Sequence, residues 1–218
     1  MQGYVNVADE EWGRAIATFR TANEVKPGEP EILLAWTQSL LRNGENAEAE
    51  KLARESLNKH KNYLPFYDFL YSLRMKEKNV AAAEALFQEK VANNPKSWDA
   101  IGTLAVHYLK TNNRQKMVET LQSAAKRTQD FPKGHFEAGE FFSRLGDLEL
   151  ARQEYEAASV ADSANRVVSQ RKIVEIYAAQ GKNAEAVALA DKLIVQYPPE
   201  FAYGDPAHGY EPWRSNGT

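Results

Sequence analysis

The chain has 218 residues, of which 43% are hydrophobic and 26% are charged, with a formal net charge of −3. This composition is typical of a folded protein, and the weakly acidic balance gives no general attraction for nucleic acid or for an anionic membrane. The absence of cysteine excludes disulfides and thiolate metal sites.

The N-terminal sequence, MQGYVNVADEEWG, has neither the basic segment nor the apolar core of a signal peptide. No apolar run approaches the roughly 20 residues that a membrane-spanning helix needs. We therefore expect a chain that is soluble as given. The sequence leaves two compartments open: the cytoplasm or, if the chain is a fragment of a longer exported protein, the periplasm.

A period of 34 residues runs through most of the chain. Alanine recurs on this period at Ala15, Ala49, Ala83 and Ala151, and again 35 residues later at Ala186. Most residues four and seven positions after these alanines are apolar or small, spacings that place them on one helical stripe. Proline follows twelve residues after three of the alanines, where the helix has to end.

A second helical pattern precedes the alanine-bearing one in each period. Its large–small pair and its aromatic residue are Ala138-Gly139 and Phe142 in one unit, and Leu104-Ala105 and Tyr108 in the unit before it. A glycine such as Gly146 stands between the two patterns, and glycine adopts the left-handed conformation that ends a helix without a Cβ penalty. Each period therefore predicts two amphipathic helices joined by a tight turn.

The pattern of a large–small pair, an aromatic residue, Ala-x3-Phe and a closing proline resembles the tetratricopeptide repeat (TPR), a helix–turn–helix unit of about 34 residues. The resemblance covers residues 1–199 and implies an all-α fold, a right-handed α-solenoid (superhelix) of antiparallel helix pairs. Its repeats are a partial one at 1–29 and full ones at 30–63, 64–97, 98–131, 132–166 and 167–199. Arg74 stands where the pattern usually has an aromatic residue.

Residues 200–218 lie outside the repeats and have no helical period. Their prolines and glycines predict a flexible or extended tail. The alternative is that the tail's aromatic residues dock on the last helix pair, whose apolar face would otherwise be exposed. These residues are Phe201, Tyr203, Tyr210 and Trp213.

A solenoid of this kind offers a concave face, lined by the first helix of each pair, that accepts an extended or helical segment of a partner protein. The resemblance therefore implies a protein-interaction module or scaffold with a protein or peptide as its partner. The groove-facing residues that it implies are Leu34, Gln38, Arg42, Asp68, Ser72, Lys76, Val106, Lys110, Phe136, Glu140, Arg144, Arg171 and Glu175. The predicted floor is apolar near Leu34 and Val106 and acidic near Glu140 and Glu175.

Four of these residues, Arg42, Lys76, Lys110 and Arg144, form a ladder of cations 34 residues apart. The ladder could hold an acidic peptide through charge-assisted hydrogen bonds. Alternatively, each cation offsets the dipole of the helix that it ends. The two roles are compatible. The Lys and Asn pair with which some TPR domains clamp chaperone tails occurs in no repeat, so we do not expect a chaperone-tail receptor.

The sequence contains no convergent set of catalytic residues. The four histidines are scattered without metal-ligand spacing, and no phosphate-binding glycine loop or nucleophile motif occurs. We therefore expect no enzymatic activity, no metal and no cofactor. Nucleic acid is disfavoured because the net charge is negative and the period differs from that of the related RNA-reading repeats. The alternative function is a structural subunit of a larger assembly, such as a bacterial envelope or secretion complex, or an array that self-associates.

Overall fold

The structure is a computed structural model that describes residues 11–198. Within this range the regular structure consists of eleven α-helices without any strand, which confirms the all-α prediction. The helices are α1 (Trp12–Val25), α2 (Pro30–Arg42), α3 (Asn46–Lys59), α4 (Leu64–Lys76), α5 (Val80–Asn93), α6 (Trp98–Lys110), α7 (Arg114–Ala125), α8 (Gly134–Arg144), α9 (Leu148–Ala161), α10 (Arg166–Ala179) and α11 (Asn183–Gln196). The start of the predicted partial repeat and the predicted tail lie outside the described residues.

The helices form two compact units, which divide after Val118 within α7. In the first unit each of the helices α1 to α5 packs on the next one, and in the second unit the same holds for α8 to α10. Packing between neighbours alone is typical of repeat arrays, in which no helix pair can bury its apolar face by itself. None of the helices formed by residues 11–198 is both long enough and apolar enough to span a bilayer.

Five helix pairs, beginning with α2–α3, are closed by the same turn. Its central residue has a positive φ, which is +87° at Gly44, +76° at Gly146 and +72° at Gly181. The two pairs without glycine there place Lys78 and Asn112 in the same conformation, at +58° and +57°. In all five turns the next N–H donates to the carbonyl oxygen five residues before it, at 2.8–3.0 Å. The turn geometry is thus kept even where a side chain makes it costly.

The core of the first unit is concentrated on α4. Phe66, Tyr67 and Leu70 are fully buried there, and α2 and α3 contribute Leu40 and Leu57 to the same cluster. The alanines of the 34-residue period are buried in both units, as their helical spacing predicts. Small residues at these positions let the two helices of a pair approach closely.

A buried charge joins α4, α5 and the start of α6. The side chain of Lys90 is fully buried, and its Nζ lies 2.8 Å from a carboxylate oxygen of Asp68 and 3.7 Å from one of Asp99. The ammonium also lies 5.4 Å from the ring centroid of Phe87. An unpaired buried charge is costly. Lys90 can therefore occupy the interior only because the two aspartates pair with its ammonium group.

In the second unit, small residues of α8 receive an aromatic ring of α9. A Cβ added at Gly139 would lie 2.8 Å from Cε1 of Tyr155, closer than packed atoms approach. The phenol ring is itself fully buried, and its hydroxyl donates to the carboxylate of Glu140 at 2.5 Å. The large–small pair therefore needs glycine at its small position, because the ring of Tyr155 fills the space that a Cβ atom of residue 139 would occupy.

Candidate functional site

An open cleft of about 1000 Å³ lies in the first unit, between α1, α2, α3 and α4. Its floor is apolar and is formed by Trp12 and Phe19 of α1 together with Phe69 and Leu73 of α4. Its rim is polar and charged. A volume of this size is in the range of pockets that hold a small ligand or the side chains of a bound peptide.

Four of the predicted groove residues line this cleft. Gln38 and Arg42 lie one helical turn apart on α2, and Ser72 and Lys76 occupy the equivalent positions on α4. All four side chains are exposed. Leu34, predicted as part of the same surface, instead packs half-buried against the hydrophobic core.

Arg42 and Lys76 carry charges that the described structure does not compensate. No side chain among residues 11–198 forms an ion pair or a hydrogen bond with either of them. Both lie in the last turn of their helices, where a cation offsets the helix dipole, a contribution of about 0.3–1 kcal/mol. The dipole stabilises the two cations in place and leaves their hydrogen-bond donors available.

Two carboxylates also line the cleft, but both are held by Arg74. Nη1 of Arg74 lies 2.6 Å from Oε2 of Glu77, and Nη2 pairs with the carboxylate of Glu50. The arginine side chain is only 17% exposed. The residue that departs from the repeat pattern thus pairs with both anions of the cleft, and together with Arg42 and Lys76 it makes the sum of the charges positive. Arg42 and Lys76 remain as its uncompensated charges.

Three further predicted residues of the first unit do not line the cleft. Asp68 is exposed, but its carboxylate is the partner of the buried Lys90. Val106 is half-buried and Lys110 is exposed, and both lie on α6. Lys110 therefore shares the ladder position of Arg42 and Lys76 without sharing their surroundings.

The predicted residues of the second unit take part in contacts within that unit. The ring of Phe136 lies 5.5 Å from that of Tyr155, measured between centroids. The carboxylates of Glu140 and Glu175 lie 3.5 and 3.6 Å from Nζ of Lys172. Burial, together with the neighbouring carboxylates, raises the pKa of Tyr155. The acidic floor predicted here is therefore partly compensated by a lysine.

The last two predicted residues are Arg144 and Arg171. Nε of Arg144 donates to the carbonyl oxygen of Glu140 on its own helix at 3.2 Å, which is the helix-end role proposed for the ladder. Arg171 is half-buried on α10. The ladder position thus has different surroundings in different repeats.

A pair between a partly buried histidine and a buried carboxylate in the second unit is not apparent from the sequence. Nδ1 of His135 lies 2.7 Å from Oε2 of Glu154, whose other oxygen accepts a hydrogen bond from Gln122 at 2.9 Å. These residues lie on α8, α9 and α7, so the network ties three helices together. Across the described range, no three His, Asp or Glu side chains converge in a way that could hold a metal ion.

A fully buried histidine lies in the first unit among aromatic side chains. Nδ1 of His107 is 3.2 Å from the hydroxyl oxygen of Tyr71, and its ring makes edge contacts with Phe87 and Tyr108. Burial lowers the pKa of His107, and the lysines at 116 and 110 lower it further, while Glu84 acts in the opposite direction. This imidazole is a neutral core group rather than a solvent-exposed acid or base.

The helix pairs, their 34-residue spacing, the buried alanines and the left-handed turns agree with the resemblance derived from the sequence. The helix pairs resemble tetratricopeptide repeats. The chain is similar to the TPR repeat-containing protein YpiA of Bacillus subtilis strain 168, with 26% identity over 152 residues. That match covers 66% of this chain and 34% of YpiA, so the chain spans about a third of that relative's length.

Solved structures resemble the chain at low sequence identity. A tetratricopeptide repeat protein from Parabacteroides merdae superposes with a TM-score of 0.47 and 15% identity, covering 89% of this chain and 77% of its own. BtubC from P. vanneervenii superposes with a TM-score of 0.49 and 14% identity, covering 100% of this chain and 97% of its own. No protein-family model matches the chain.

The TPR pattern did not predict the apolar floor of the cleft or the pairing of its two carboxylates with Arg74. Trp12 and Phe19 lie on α1, and none of the predicted groove residues lies on that helix. The pairing of Glu50 and Glu77 joins two repeats through Arg74, and no single repeat contains the information for it. The signal that could have found it is Arg74 itself, because an arginine at an aromatic position needs a partner for its charge.

Proposed function

We propose that this chain is a protein-interaction module that holds an acidic segment of a partner protein in the cleft between α2 and α4. The observation that supports it is the combination of two uncompensated cations, Arg42 and Lys76, above an apolar floor. The partner segment would carry a large apolar or aromatic side chain for the floor and carboxylates for the rim.

The two parts of the cleft contribute differently to binding. A fully buried apolar side chain contributes about 1.5–3 kcal/mol, so the floor supplies most of the affinity. Each exposed ion pair contributes only about 0.2–1 kcal/mol. Charge complementarity instead raises the association rate and excludes basic segments. The cations therefore determine which peptides bind rather than how tightly any peptide binds.

The test uses peptides displayed at random and selected on the immobilised chain. We expect the selected peptides to combine an aromatic or large aliphatic residue with flanking Asp or Glu. Binding should be lost when Arg42 and Lys76 are both changed to Glu. The matched control is Lys110→Glu, because Lys110 occupies the same repeat position outside the cleft, and this variant should retain binding.

Two results would contradict the proposal. The first is a selected set without acidic enrichment. The second is equal loss of binding in Lys110→Glu and in the Arg42/Lys76 double variant, which would indicate a general charge effect. Far-UV circular dichroism of every variant verifies that the helices are intact.

Arg74 provides an independent test of the same cleft. Arg74→Phe restores the usual aromatic residue but removes the partner of Glu50 and Glu77, which then compete as anions for Arg42 and Lys76. We expect weaker binding of the selected acidic peptides to Arg74→Phe, and near-normal binding to Arg74→Lys, which keeps the charge. Unchanged binding in Arg74→Phe would show that the compensation has no role.

A further inference from the structure

One imidazole of the first unit is enclosed by aromatic rings from two other helices. His107 on α6 is 1% exposed, and its Nδ1 lies 3.2 Å from the hydroxyl oxygen of Tyr71 on α4. Tyr71 stacks on Phe87 of α5 with 3.8 Å between the ring centroids, and both rings lie nearly perpendicular to the imidazole. Burial raises the pKa of Tyr71, so its hydroxyl group is neutral. We call these three residues the α4–α6 joint, and its surroundings favour the neutral imidazole.

The charged groups that face this imidazole come from α5, α6 and α7. Glu84 on α5 favours a charged His107, whereas Lys116 on α7 and Lys110 on α6 oppose it. The carboxylate of Glu84 already has other partners. Nζ of Lys116 lies 2.8 Å from it, and the hydroxyl group of Tyr108 on α6 donates a hydrogen bond to it at 3.0 Å. A proton on His107 would therefore gain little from Glu84, and its charge would lack solvation by water.

The helix that carries Tyr71 also forms one wall of the cleft. Phe69 and Leu73 of α4 belong to the apolar floor, and Lys76 belongs to the rim. In turn, α4 packs on α5, and α5 packs on α6. Closely packed helices move as rigid elements rather than deforming continuously, so a displacement that separates Tyr71 from His107 also shifts the floor. The joint and the cleft are thus coupled through α4.

We propose that protonation of His107 opens the α4–α6 joint and thereby releases the partner segment from the cleft. Burial lowers the pKa of His107 in the closed joint, so the open joint takes up the proton first. The closed joint is therefore fully favoured above the ordinary histidine pKa of about 6.5 and loses stability as the pH falls below it. The release rests on the proposed function, whereas the opening of the joint does not.

Hydrogen exchange of the full chain, corrected for intrinsic exchange rates, tests the opening. One proton taken up by a solvated histidine should lower the protection of α4 and α6 by up to about tenfold between about pH 7.5 and about pH 5.5. The protection of α1 should not change. His107→Gln should remove the pH dependence. Tyr71→Phe should keep it, because this change removes the hydrogen bond of His107 but leaves the imidazole buried.

Binding of the acidic peptides selected on the immobilised chain tests the release. Their dissociation constant should rise over the same pH interval by up to about tenfold in the unmodified chain and stay constant in His107→Gln. Carboxylates, lysine and arginine keep their charges over this interval, so titration of the peptide or of the rim does not contribute.

Three results would overturn the proposal. Equal loss of protection in α1 would show that acid destabilises the first unit as a whole rather than the joint. The same pH dependence of protection in His107→Gln would show that another group takes up the proton. Peptide affinity that is equal at both pH values would refute the release, while the proposed function would stand because the peptides still bind.

Discussion

The same glycine-to-alanine substitution at two helix-interior positions should change the free energy of unfolding in opposite directions. Gly139 on α8 and Gly102 on α6 are both interior to their helices, where alanine is favoured over glycine by about 1 kcal/mol. An added Cβ at Gly102 meets no atom of the described residues within 4 Å. We therefore expect Gly102→Ala to stabilise the protein by up to about 1 kcal/mol.

At Gly139 the added methyl group meets the ring of Tyr155. Its Cβ would lie 2.8 Å from Cε1 and 2.9 Å from Cδ1 of that ring. The ring has little room to move, because it is fully buried and its hydroxyl is bound by Glu140. Overpacking costs about 1–3 kcal/mol, and with two atoms in conflict we take the upper part of that range. After the gain in helix propensity, the expected net loss is about 1–2 kcal/mol.

The assay is urea unfolding followed by far-UV circular dichroism, together with hydrogen exchange of α8 and α9. In a background of Tyr155→Leu, the penalty of Gly139→Ala should disappear, since the conflicting ring atoms are gone. If Gly139→Ala stabilises the protein as Gly102→Ala does, the tyrosine moves freely and the packing argument is wrong.

Three further predictions concern charge, turn geometry and pH. Asp68→Asn should destabilise the first unit by about 2 kcal/mol in urea unfolding. This loss is smaller than the roughly 3–5 kcal/mol for breaking a fully buried pair, because Asp68 is half exposed. When Lys90 is changed to Met, the same substitution of Asp68 should cost little. Lys78→Gly should stabilise the protein by about 1 kcal/mol in thermal unfolding, since lysine at φ +58° is strained, and no gain would contradict the turn assignment. Because burial lowers the pKa of His107, the unfolded chain takes up the proton first, so stability should fall as the pH drops below about 6.5. Urea unfolding at several pH values should show a weaker dependence in His107→Gln, and an unchanged slope would refute the assignment.

The sequence was sufficient for the helices because every repeat carries the same local information. The period of the alanines gives the second helix of each pair, and Gly44 and its equivalents give the turn. The turns at Lys78 and Asn112 contain no glycine from which they could be predicted. They form because the flanking helices require the same reversal of the chain. At Lys78, tertiary packing overrides a local preference of about 1–2 kcal/mol, whereas asparagine at position 112 adopts the left-handed conformation more readily.

The surroundings of the candidate site could be predicted only in part. The repeat pattern placed Arg42 and Lys76 at the ends of equivalent helices, and it did the same for Lys110 and Arg144. It could not indicate which of these cations has a partner, because partners come from other helices or from the backbone. Arg144 donates to a carbonyl group, whereas no described side chain pairs with Arg42 or Lys76.

Departures from the repeat pattern are therefore where a repeat protein acquires a specific surface. An aromatic residue at position 74 would fill space between helices and leave Glu50 and Glu77 exposed beside two cations. The arginine instead binds both carboxylates, so the cleft changes from a self-compensated surface to one with a net positive rim. Positions that obey the pattern stabilise the array in each repeat alike. One position that breaks it determines the charge of the cleft, and hence, under the proposed function, the class of peptide that the cleft would hold.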